Sequence, residues 1–164
     1  MSFIDLPKIK IRKRIVSLGI AGLFLAAAAL LAQSPDMTGT WEMDTAKSQV
    51  TDGRTVTLLI ANVEKKIKIN STIHDKAGQA TTGELTCAPD GKECEFNEAG
   101  HKSKVSMWFS GPALNVAKTD GPAGDVVNEW KLEMSPEGKV LTLTVSHIDP
   151  NAPEETLVFN KKSS

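Results

Sequence analysis

The sequence predicts an all-β protein: an up-and-down antiparallel meander closed into a barrel of about 8–10 strands, following an N-terminal signal helix. Three observations predict it. Composition changes abruptly near residue 33 of the 164. Beyond that point, turn signals recur about every 10–14 residues. Between the turns, apolar and polar residues alternate with period two.

The first element is residues 1–32. Lys8, Lys10, Arg12, Lys13 and Arg14 stand against one acid, Asp5, and the run from Ile15 to Ala32 carries no charge. A basic start, an apolar run and small residues at its edge are the pattern of an export signal. Cleavage is expected after Ala32. The apolar run lies at the lower limit for a spanning helix, so an uncleaved signal anchor is the other reading. Either way residues 33–164 form one domain, exported to the periplasm or secreted, with the N-terminal segment as its only membrane attachment.

The strands follow in order. Residues 38–44 form the first, lying between Pro35–Met37 and Thr45–Val50, the only two places with room for a helical turn. Asp52-Gly53 opens strand 54–63. Strand 66–74 sets Ile67, Ile69 and Ile73 against Lys66, Lys68, Asn70, Thr72 and His74. The 75–78 turn introduces strand 80–88, and Pro89-Asp90-Gly91-Lys92 separates it from 93–98. After Ala99-Gly100, strand 103–110 alternates Val105, Met107 and Phe109 with Lys104, Ser106 and Trp108. Ser110-Gly111-Pro112 leads to 113–119, and the Gly/Pro-rich 120–124 segment to 126–134. There Val126, Trp130, Leu132 and Met134, interrupted by Asn128, oppose Val127, Glu129, Lys131 and Glu133. Strand 140–148 carries Leu141, Leu143 and Val145 on one face. Strand 155–161 continues with Leu157 and Phe159. Short connections make sequence neighbours into spatial neighbours, and closing the sheet removes its two open edges.

Charge and cysteine content narrow the function. Residues 1–32 hold five of the 19 basic and one of the 20 acidic residues, leaving 14 basic and 19 acidic downstream, a formal charge of −5. That balance argues against nucleic acid, which needs clustered Lys and Arg. Lys65, Lys66 and Lys68 read as a solvated face. Cys87 and Cys94 flank the 89–92 turn symmetrically. An even count in an exported chain suggests a disulfide, two buried thiols being the alternative. With no matching histidine pattern they make a poor zinc site, and no metal or cofactor is expected.

The run Gly39-Thr40-Trp41-Glu42-Met43-Asp44, extended to GTWEMDTAKS, resembles the Gly-x-Trp opening of lipocalins and of small exported bacterial proteins with a lipocalin-like (calycin-type) barrel. The PDGKE turn, the NEWKLEMSPEGKVLTLTVSH segment and the closing TLVFNKK fit the same family, so the likeness spans residues 37–162. The resemblance implies a barrel holding one small, mainly apolar ligand. It gives Gly39 and Trp41 a structural role, with Trp41 closing one end beneath an arginine near the last strand. This chain has Lys161 and Lys162 there instead; its only arginine beyond the signal is Arg54.

Candidate ligand contacts are Trp130, Met107 and Phe109 on the inward face, with His147 as a polar group at the pocket mouth. Trp108 breaks phase and points outward, either covered or available to a partner. No nucleophile elbow, paired acid and base, or phosphate-binding loop is present, so no enzyme activity is expected. The reading is a monomeric carrier of a small apolar ligand. The alternative is a filled barrel that recognises an envelope protein or polysaccharide. An enzyme would require His147 to meet a carboxylate inside the barrel.

Overall fold

The computed structural model describes residues 34–120 and 125–163, without the side chains of 120, 125 and 126. The expected signal segment 1–32, the 121–124 turn and the inward placement of Val126 lie outside that description. Ten strands follow one another: β1 (Gly39–Met43), β2 (Thr55–Val63), β3 (Lys66–His74), β4 (Ala80–Cys87), β5 (Asp90–Glu98), β6 (His101–Ser110), β7 (Ala113–Asp120), β8 (Asp125–Met134), β9 (Val140–His147) and β10 (Ala152–Lys161). Each pairs antiparallel with its sequence neighbours, and β1 joins β10 to close the barrel. The predicted strands match within a few residues. The largest differences, at the starts of β5 and β10, arise because pairing resumes across register shifts between Asp90 and Glu93 and between Ala152 and Glu155.

Period-two alternation puts one residue set on the barrel axis: Val56, Leu58 and Ile60 of β2 and Glu155, Leu157 and Phe159 of β10 are buried, while the residues between them are not. The two ends of the axis differ. One end is solid: Met37, Trp41, Ile60, Met107, Leu114, Leu141 and Phe159 are all buried there. The Trp41 indole N–H donates to the carbonyl oxygen of Met37 at 2.9 Å. The Lys161 ammonium lies 5.3 Å from the ring centroid, a cation–π contact on the residue paired directly opposite Trp41. Gly39 explains the small residue of the Gly-x-Trp opening. Its φ is +138°, and a Cβ there would stand 2.6 Å from Lys161 Cε. Only glycine lets the lysine cross to the tryptophan. Lysine thus occupies the place where the resemblance implied arginine.

β1 is only five residues long and covers half the seam between β10 and β2. Beyond it the chain turns at Asp44–Ser48, and Gln49 exchanges two backbone hydrogen bonds with Thr156, at 2.6 and 3.3 Å. The rest of the seam is bridged by side chains, described below. Opposite it, β4 and β5 share only three register pairs. There Cys87 and Cys94 form a disulfide with a Cα–Cα separation of 5.8 Å, joining the two strands beyond their last paired residues.

Candidate functional site

The other half of the barrel is hollow. A cavity of about 350 Å³ opens at the end where β2 and β10 begin and β9 terminates. That volume falls in the range of small-molecule sites, about 300–1,000 Å³. The filled interior of the alternative reading therefore describes only the closed half. The floor and walls are apolar: Val56 and Leu58 of β2, Ile69 and Ile73 of β3, Leu85 of β4, Phe96 of β5, Trp130 and Leu132 of β8, Leu143 and Val145 of β9, and Leu157 of β10. Trp130 meets Phe96 edge-on, with centroids 5.3 Å apart and planes at 84°. Ser71, opposite Gly83 in the β3–β4 register, is the one hydroxyl among the described lining residues. A Cβ at position 83 would stand 2.5 Å from its oxygen.

Polar residues gather at the rim. Asn128 pairs in register with both His147 and Lys118, so these three side chains form one inward row across β9, β8 and β7. His147 Nδ1 lies 2.9 Å from Asn128 Oδ1, and with that oxygen accepting, the ring nitrogen donates. His147 Nε2 faces Glu155 Oε2 at 3.5 Å. Arg54, just before β2, donates to both oxygens of Glu155, Nη2 to Oε2 at 2.5 Å and Nη1 to Oε1 at 3.3 Å. Its Nη1 also donates to Asp52 Oδ2 at 2.7 Å. This pair crosses the seam that β1 leaves uncovered. On the far side, Lys118 pairs with Glu98 at 3.4 Å and stands 5.5 Å above the Phe96 ring.

Glu155 is the most constrained group of the rim, its side chain 8% exposed. Burial pushes its carboxyl up, but hydrogen bonds and charge from Arg54, followed by His147 and the Thr51 backbone, outweigh burial and hold it below the ordinary value. Asp52 shows the same balance: burial raises it, while Arg54 lowers it further. A carboxylate held down in this way is an ionised hydrogen-bond acceptor at neutral pH. It lies outside the range in which a general acid works. His147 does meet a carboxylate inside the barrel, but that carboxylate is locked rather than poised.

Of the four residues predicted to contact a ligand, Trp130 and His147 line this cavity. Met107 and Phe109 face inward as expected but at the other level: β6 runs from the open end to the closed end, so Met107 packs in the solid core and Phe109 borders a depression outside it. Trp108 faces outward, opposite Asp90 and Asn115. Arg54, Glu98, Lys118 and Glu155 were not predicted. Three carried a signal: Lys118 is in phase with Leu114 and Val116, Glu98 with Phe96, and Glu155 with Leu157 and Phe159.

No family model and no curated protein matches this sequence. Solved structures do match. A protein titled REP1-NXSQ fatty acid transporter aligns with a TM-score of 0.58 at 14% identity, over 79% of this chain and 98% of its own. The fatty-acid-binding protein of Manduca sexta gives 0.53 at 17%, over 76% and 98%. A point mutant of the fluorescent protein UnaG gives 0.52 at 16%, over 77% and 96%. The fold is a lipocalin-like β-barrel, a closed ten-stranded antiparallel meander. At these identities the likeness speaks for the architecture, and the chemistry of the site rests on its own residues.

Proposed function

We propose that this barrel binds and carries one small apolar molecule in the hollow half of its interior. The observation that supports the reading is an apolar chamber of about 350 Å³ with its charged groups confined to the rim. Such a chamber favours a hydrophobic guest because every CH₂ it removes from water is worth about 0.8 kcal/mol. Two of the aligned structures are titled as a fatty acid transporter and a fatty-acid-binding protein, which agrees with it. The basic and apolar stretch at 8–32 and the Cys87–Cys94 bridge favour an exported carrier.

Titration of the full chain with N-phenyl-1-naphthylamine, an uncharged apolar fluorophore, tests the reading. Saturable enhancement at one site per chain is expected, and Val145→Trp, which projects an indole into the chamber, should abolish it while the far-ultraviolet circular dichroism stays that of a sheet. Enhancement that never saturates, or that survives in the filled variant, rejects a ligand chamber.

A further inference from the structure

We infer that the ligand of this chamber is uncharged, and that the rim excludes carboxylate amphiphiles. The inference rests on the carrier reading and adds the chemical class of the cargo.

A chamber selects an anionic head group by presenting a cation that lacks a partner, because a buried charge is tolerated only when paired. The described lining residues contain two cations, Arg54 and Lys118, and both are taken. Arg54 directs its donors to both oxygens of Glu155 and to Asp52. Lys118, only 12% exposed, is held by Glu98 and by the face of Phe96. Two cations thus meet two lining carboxylates, with Asp52 as a third acid on Arg54. The rim is neutralised from within, and its surplus is negative.

A carboxylate ligand reaching Arg54 must displace Glu155. That side chain sits on β10 with little room to turn toward water, and it would be left buried beside an incoming like charge. The pair also closes the seam left open by the short β1, so opening it loosens the barrel wall. Lys118 presents a smaller obstacle: Glu98 is 35% exposed and can turn toward water, but the ammonium is also covered by the Phe96 ring. An uncharged molecule meets neither cost. Its single polar group can use the Ser71 hydroxyl, which makes no hydrogen bond among the described residues, or the Asn128 amide on the rim. The geometry therefore suits an alcohol, ester or hydrocarbon.

The test is isothermal titration of the full chain at pH 7.5 with three ligands of one chain length, below their aggregation thresholds: decanol, methyl decanoate and decanoate. Decanol and methyl decanoate should each bind at least tenfold more tightly than decanoate. Glu155→Gln, which releases Arg54, should tighten decanoate binding about tenfold and so narrow or reverse the preference. Should that variant not fold, the wild-type comparison still decides. Decanoate binding as tightly as decanol overturns the inference and leaves the carrier reading standing. Failure of all three ligands and of N-phenyl-1-naphthylamine overturns the carrier reading, and the inference falls with it.

Discussion

Replacing Arg54 by Met removes the guanidinium that ties β10 to the start of β2, while keeping a stem of similar length. The cost follows from burial. Exposed ion pairs contribute about 0–1 kcal/mol, whereas breaking a fully buried pair costs about 3–5 kcal/mol by stranding the remaining charge. The Arg54 and Glu155 side chains are 21% and 8% exposed, so the loss lies between these limits. His147 and the Thr51 backbone continue to hold the stranded carboxylate. A loss of about 2–3 kcal/mol at pH 7 is expected. The sign of its pH dependence follows from Glu155. Its folded carboxyl lies below the ordinary 4.5, so its stabilisation is complete above that value and is lost as pH falls through the lower folded value. The difference between wild type and Arg54→Met should therefore shrink toward acid. Urea unfolding followed by circular dichroism at pH 7 and pH 3.5 measures it. A loss under about 0.5 kcal/mol at pH 7, or the same loss at both pH values, would refute a partly buried ion pair at the seam.

Three further outcomes are expected. Trp41→Ala should cost about 4 kcal/mol in urea unfolding, since it empties the closed end and orphans the Met37 carbonyl; a loss near 1 kcal/mol would mean the plug is dispensable. Reducing Cys87–Cys94 frees a short loop with a sequence separation of 7, so stability should fall by about 2–2.5 kcal/mol, read as a lower thermal midpoint with dithiothreitol than without. Among the three tryptophans, Trp130 alone lines the chamber, while Trp41 is sealed in the closed end and Trp108 faces outward. Ligand-induced change in tryptophan emission should thus vanish in Trp130→Phe, and a signal surviving that substitution would place the ligand elsewhere.

The sequence alone determined the strands, their order and their facing. Turn chemistry at sites such as Ser110-Gly111-Pro112 is local, and alternation such as Leu141, Leu143, Val145 states which side chains share a face. Closure was legible too, because a ten-strand meander with short connections leaves two edges in need of each other. What alternation does not encode is height along the axis. Met107 and Trp130 have the same phase and share a register row through Val116, yet one is core and the other chamber wall, because strand tilt in the closed barrel carries that row along the axis. The rim was hidden for the same reason. Arg54 and Glu155 are 101 residues apart, and Lys118 and Glu98 meet across an intervening strand, so their pairing exists only once the sheet has curled. Sequence sorts inside from outside because pleating is local. Solid from hollow, and paired charge from free, are settled by tertiary structure because they depend on which distant residues share a level.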